Sequence, residues 1–204
     1  PLLPWNTITS SLGSAVFARG AAALRSTALL LALASAQPFA LGAQSIGEPS
    51  TGPLVPDFGP VFVVEGMEVP VDTDREYRVV FDVAQSPSDM EGPNPYLGSV
   101  ARFLNMHARA GVPREQMHVA VVLHGSAGKD ALQVGPYRER YDADNPNVDL
   151  IRQLGEAGVE FYICGQSAMS RGLANEELMP EIRMALSAMT ARAMLQAEGY
   201  EVVN

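Results

Sequence analysis

One cysteine, Cys164, stands in a chain of 204 residues. An internal disulfide is therefore excluded, and the thiol can pair only with another subunit or a small thiol. Aromatic residues are few, at 7%, while alanine, glycine and methionine are plentiful. Basic residues are scarce as well: 14 against 23 acidic ones, for a formal net charge of −9. So acidic a chain repels the phosphate backbone of nucleic acid and an anionic membrane surface, and neither is an expected partner. The three histidines, His107, His118 and His124, lack metal-ligand spacing among themselves. No cofactor is expected. What is present is a 47% hydrophobic composition, enough for one domain with a real core.

The first 43 residues differ in kind. They hold no acidic residue, the first being Glu48. Arg19 and Arg25 precede the apolar run Ala28 to Ala34, and Ala34-Ser35-Ala36 offers a small-x-small site before Gln37. That order of positive flank, apolar stretch and cleavage site is the layout of a secretory signal. Pro38 and the shortness of the run argue against a membrane span, although an uncleaved anchor has the same pattern. The expectation is a signal peptide with an upstream lead over residues 1–43, a periplasmic or secreted location, and no membrane contact after cleavage. Residues 44–74 read as a Pro/Gly-rich linker and N-terminal arm. Gly47, Pro49, Gly52, Pro53, Pro56, Gly59 and Pro60 interrupt regular structure. Val61–Val64 and Met67–Val71 are short β-like pieces about Glu65-Gly66, a candidate hairpin or edge segment.

From Arg75 strands and helices alternate. Strands are expected at Tyr77–Val83, Met117–Leu123, Val159–Ile163 and Tyr200–Val203, with Ile182–Ala185 either a strand or the start of the next helix. Helices are expected at Tyr96–Ala110, from Lys129 to Tyr141 with a break at Gly135-Pro136, from Asn147 to Ala157, and from Ser187 to Glu198 with Met189, Ala193 and Leu195 inward. A helical turn capped by Asn175 is expected at Glu176–Leu178. The alternation implies an α/β fold, a parallel sheet with helices on both faces.

Cys164 lies in Phe161-Tyr162-Ile163-Cys164-Gly165-Gln166-Ser167, where a strand runs into a helix. In an open α/β sheet the carboxyl ends of strands collect ligands and reactive groups. A helix beginning there aims free N–H groups at the sulfur and favours the thiolate. The competing reading is a packed cysteine acting as a small hydrophobe. His124 ends its strand on the same edge, so the imidazole can approach the thiol if the two strands are neighbours. Gly165 would let a donor near the backbone, Gln166 and Ser167 would supply hydrogen bonds to an anion, and Arg171 would meet an anionic substrate or a carboxylate such as Glu177. Gly125-Ser126-Ala127-Gly128-Lys129 is not a phosphate loop, because its glycines are too close and Asp130 follows the lysine. Gly165-Gln166-Ser167 is not a nucleophile elbow, because Met169 stands where the second glycine belongs.

The stretch Tyr162 to Gly172 resembles the cysteine motif of the DsrE/DsrF/YchN-like sulfur-relay family, in which Arg-Gly follows a strand-end cysteine by seven and eight residues, as Arg171-Gly172 follows Cys164 here. Val119 to Gly125, Ala185 to Thr190 and Gly199-Tyr200 extend the likeness to roughly residues 75–204. The resemblance implies a three-layer α/β/α domain with about five mostly parallel strands, and a homotrimer or hexamer. It implies that Cys164 carries sulfur as a persulfide, in a sulfurtransferase-like exchange with a thiol-containing partner protein or a small sulfur compound. Two other functions fit the residues: a non-catalytic oligomeric binding module with a packed cysteine, and a Cys/His metal site formed between subunits.

Overall fold

A computed structural model describes residues 47–88 and 91–203. The expected signal segment, residues 1–43, lies outside the described residues. Five strands form one sheet: β1 (Tyr77–Val83), β2 (Met117–Leu123), β3 (Glu160–Cys164), β4 (Ile182–Ala185) and β5 (Glu201–Val203). Their order is β4-β3-β2-β1-β5, and all four pairings are parallel. The helices are α1 (Pro95–Arg109), α2 (Val134–Tyr141), α3 (Val148–Glu156), α4 (Gly165–Ser170) and α5 (Ala188–Ala197).

Strand β2, Met-His-Val-Ala-Val-Val-Leu, is apolar on both sides because both faces of a parallel sheet are covered. Val119, Val121 and Leu123 face one layer with Leu97 and Leu104 of α1 and Leu150 and Leu154 of α3. Ala120 and Val122 face the other, with Ala188, Ala191 and Leu195 of α5. Helix α1 begins where Asn94 accepts a hydrogen bond from the Tyr96 N–H and Pro95 fills the first turn. Its buried Leu97, Val100, Ala101 and Leu104 recur at helical spacing.

Four local expectations change. In α5, Met189 and Ala193 point outward while Ala188, Ala191 and Leu195 face the sheet. The helix has alanine or methionine on more than one side, and the sheet takes the side with the small residues Ala188 and Ala191, which allow close approach. Gly135-Pro136 does not break a helix. A 3-10 turn over Gly125–Ala131 ends first, and Pro136 sits in the opening turn of α2, where the missing N–H costs nothing. The turn Asn175–Glu177 is capped by Ala174, whose N–H donates to the Glu177 carboxylate at 2.8 Å. Val61–Val64 and Met67–Val71 form no hairpin; Val61 bridges Ser50 alone, and Phe62, Val63, Val64, Met67 and Val69 are exposed.

Ser50 to Val61 is a strap packed on the domain. The buried Asn105 side chain accepts from the Leu54 and Val55 N–H groups and donates to the Val55, Phe58 and Gly59 carbonyls. Arg109 donates to the Ser50, Thr51 and Gly52 carbonyls. Among the described residues, no helix is long and apolar enough to cross a membrane.

Candidate functional site

Strands β2 and β3 are neighbours, with Leu123 opposite Ile163. His124 and Cys164 therefore continue that register at the carboxyl edge of the sheet. Cys164 lies on the α5 face with Ala120, Val122 and Ala188. The residue is 6% exposed, so the cysteine is buried rather than open as a strand end suggests.

The start of α4 meets the sulfur. The Ser167 N–H, in the first turn of α4, donates to Sγ at 3.4 Å. The Ser167 hydroxyl and the backbone N–H groups of Ala188 and Gln166 also favour the thiolate. Burial pushes the Cys164 thiol up, but these hydrogen bonds together outweigh it, and the pKa is lowered from its ordinary value. Ser167 Oγ also accepts from the Gly125 N–H at 3.3 Å, which fixes its rotamer and links the β2 loop to α4.

The remaining expected site residues divide. Gly165 is buried, and a Cβ there would sit 2.6 Å from the Ala185 carbonyl oxygen and 3.3 Å from that of Leu186. Its missing side chain makes room for the segment entering α5, not for an incoming donor. Gln166 is exposed and donates from Nε2 to the Leu186 carbonyl at 3.4 Å. Arg171 is exposed and reaches back to the Ser167 carbonyl at 3.5 Å. Glu177 instead pairs with Arg140. His124 makes no hydrogen bond to Cys164; its Nε2 lies 3.0 Å from Asp82 Oδ1.

Asp82 and Arg192 escaped the sequence reading. Asp82 belongs to β1, and its second carboxylate oxygen accepts from Arg192 Nη1 of α5. The signal available was a lone charge inside the apolar run Val79-Val80-Phe81-Asp82-Val83. The N–H of Ala188 leaves no mark in sequence, because backbone donors depend on how α5 docks. Among the described residues, no group of three or more His, Cys, Asp or Glu side chains is placed to hold a metal.

The site thus offers a covered, hydrogen-bonded thiol whose anionic form is favoured, next to an Asp82-centred charge cluster. Among curated proteins none matches the chain. Two solved structures are similar: a protein of unknown function, MTH1491, from Methanobacterium thermoautotrophicum, at 18% identity over 62% of this chain and 97% of that one, TM-score 0.47; and the ychN protein from E. coli, at 12% identity over 62% and 99%, TM-score 0.44. The DsrE/DsrF-like family model matches residues 73–204, nearly the span that the cysteine motif and its flanking segments mark out. The chain belongs to the DsrE/DsrF-like family.

Proposed function

We propose that the protein is a persulfide carrier that works through Cys164. The observation that supports this most is the Ser167 N–H in the first turn of α4 donating to Sγ at 3.4 Å, with the thiol pKa lowered despite burial. A group that only fills core space gains little from such a donor, whereas a thiolate or persulfide anion does. In the reaction, the Cys164 thiolate attacks the sulfane sulfur of thiosulfate. The new S–S bond makes an enzyme-bound persulfide anion, and the S–S bond of thiosulfate breaks to release sulfite. Polysulfide reacts in the same way and leaves shortened by one sulfur. An acceptor thiolate then attacks the outer sulfur, takes it as a new persulfide, and returns Cys164 to its thiolate. One cysteine suffices because the second thiol belongs to the partner. The test is sulfite release from thiosulfate in stoichiometric amount, absent in Cys164→Ser. No sulfite from thiosulfate and no shortening of polysulfide would refute it.

The 6% exposure of Cys164 favours a second reading, a binding module with a packed thiol. A native thiol that resists iodoacetamide until the protein is unfolded decides for it. Assembly into a homotrimer or hexamer is part of the proposal. Leu186, Met189, Met194 and Met169 are exposed beside the site, and a patch of this kind is covered at low cost by identical subunits. Light scattering should give a trimer or larger; a monomer at micromolar concentration refutes it. Export to the periplasm or outside rests on the pattern from Arg19 to Ala36. N-terminal sequencing of exported material should begin near Gln37 or Gln44, and full-length protein in the cytosol refutes it.

A further inference from the structure

We propose that the cavity at the carboxyl ends of β1 and β5 is a binding site for a small, uncharged, ring-sized molecule, separate from Cys164. Two crossovers diverge at that place. From β1 the chain runs through α1 to β2; from β4 it runs through α5, on the opposite face of the sheet, to β5. Strands β1 and β5 thus flank the point where the strand order reverses. In open α/β sheets the crevice outside the carboxyl ends of such a pair is where ligands bind. A cavity of about 240 Å³ lies there. The end of β1 and Val203 of β5 form its floor, and Tyr96 and Ser99, from the opening turns of α1, form a wall.

The lining sets the class of ligand. Phe81 and Val83 are buried, and Val203 packs against the same core, so the floor is apolar. Asp82 is the charged residue of the lining, and both its oxygens are taken: Oδ2 accepts from Arg192, and Oδ1 lies 3.0 Å from His124 Nε2. No free charge is left for a ligand. Ser99 Oγ is engaged as well, donating to the Pro95 carbonyl at 3.1 Å and accepting from Arg102. The side chains of Gln85 and Tyr96, both exposed, have no hydrogen-bond partner among the described residues and can serve a polar group on the ligand. A dry cavity of about 150 Å³ holds benzene; the larger one here admits a fused ring or a ring with a short substituent. The mouth is also built in advance. Asp130, fully buried, accepts from Ser86 Oγ on Oδ1 and from Asn94 Nδ2 on Oδ2, each at 2.7 Å, and Lys129 balances its charge at 3.2 Å. Asn94 Nδ2 donates to the Gln85 carbonyl at 2.8 Å, and Asn94 Oδ1 accepts from the Tyr96 N–H at 3.0 Å. One buried carboxylate thus fixes the backbone of both Gln85 and Tyr96, and a preformed mouth spares a ligand the cost of ordering it.

The probe is indole, a neutral fused ring, titrated into the folded full chain and followed by backbone amide NMR shifts. Expected are saturating shifts at Ala84, Gln85, Tyr96 and Val203, with a dissociation constant of about 1 mM or tighter. Benzoate and benzylammonium should bind at least about tenfold more weakly, because neither charge finds a partner in the cavity. Ser99→Phe puts a ring into the cavity and should abolish saturation. Tyr96→Ala changes an exposed position, removes the aromatic wall, and should weaken indole by about three- to tenfold. If Ser99→Phe does not fold, Tyr96→Ala decides alone. Cys164→Ser should bind indole as wild type does, so a thiol that carries no sulfur leaves this site standing. No saturation below roughly 10 mM, undiminished binding by the two wall variants, shifts centred elsewhere, or tighter binding of either ion than of indole would each overturn the proposal.

Discussion

Gly165→Ala tests the close approach that builds the site. The new methyl carbon would lie 2.6 Å from the Ala185 carbonyl oxygen, 3.3 Å from that of Leu186 and 3.6 Å from Met184 Cγ. Ordinary contact begins near 3.4 Å, so the first clash is about 0.8 Å deep, and its partner is backbone rather than a side chain that can swing away. Overpacking of this kind costs roughly 1–3 kcal/mol. Against it stands the gain from replacing glycine in a helix, at most about 1 kcal/mol. The net destabilisation is up to about 2 kcal/mol, which in a domain of this size lowers the melting temperature by up to roughly 8 °C. Thermal denaturation followed by circular dichroism measures it. Gly98→Ala is the control, since Gly98 lies in α1 with nothing within 4 Å of its would-be Cβ. That variant should be as stable as wild type or up to about 1 kcal/mol more so. Stabilisation by both substitutions would refute the packing described between α4 and the segment entering α5.

Three further outcomes are expected. Ser167→Ala removes the hydroxyl that accepts from the Gly125 N–H and helps lower the Cys164 pKa, so the midpoint of Cys164 labelling should rise; an unmoved midpoint would show that the backbone N–H of Ser167 suffices. Asn105→Ala leaves four strap backbone groups unpaired, since the Val55 carbonyl keeps its bond from the Gly52 N–H, at a cost of about 2–3 kcal/mol, and limited proteolysis should then cut between Ser50 and Val61. Cleavage no faster than in wild type would contradict that. Burial, followed by the Glu160 carboxylate, raises the Tyr162 phenol from 10.0 to about 12. The folded protein keeps that proton where the unfolded chain, titrating near 10, has begun to lose it. Stability contributed by the neutral phenol is therefore whole below about pH 10 and is lost as pH rises towards 12. Tyr162→Phe should flatten this fall in a denaturation series, and an identical slope would count against it.

Sequence periodicity located the frame well because the strands are buried on both faces. Tyr77–Val83 and Met117–Leu123 fall on their expected bounds, since each is a short, mostly apolar run rich in β-branched residues between polar segments. The direction of every strand also followed, because each is joined to the next through helical segments. Strand order was not legible. That β2 lies beside β3, and that β1 and β5 pair on the far side, depends on packing across the whole sheet. The facing of α5 differs from expectation for a related reason: alanine and methionine occur on both its buried and its exposed side, so the apolar spacing is ambiguous, and the sheet takes the side of Ala188 and Ala191. At the site, Cys164 stood out by its position at a strand end, and Ser167 by its distance of three residues into the helix. The burial of the sulfur, the Ala188 donor and the turning of His124 to Asp82 arise from tertiary contacts that no local pattern encodes. The strap from Ser50 to Val61 was hidden in the same way. Its prolines and glycines exclude regular structure, and the side chains that hold it down, Asn105, Arg109 and Gln153, lie some fifty to a hundred residues away.

Intact mass of the native protein after exposure to thiosulfate or polysulfide tests the role of Cys164 most directly. A gain of about one or two sulfur atoms is expected, reversed by a thiol reductant and absent in Cys164→Ser, which should keep the same fold and assembly. No gain in native protein, together with labelling of Cys164 only after unfolding, would contradict the carrier function and leave a cysteine that packs.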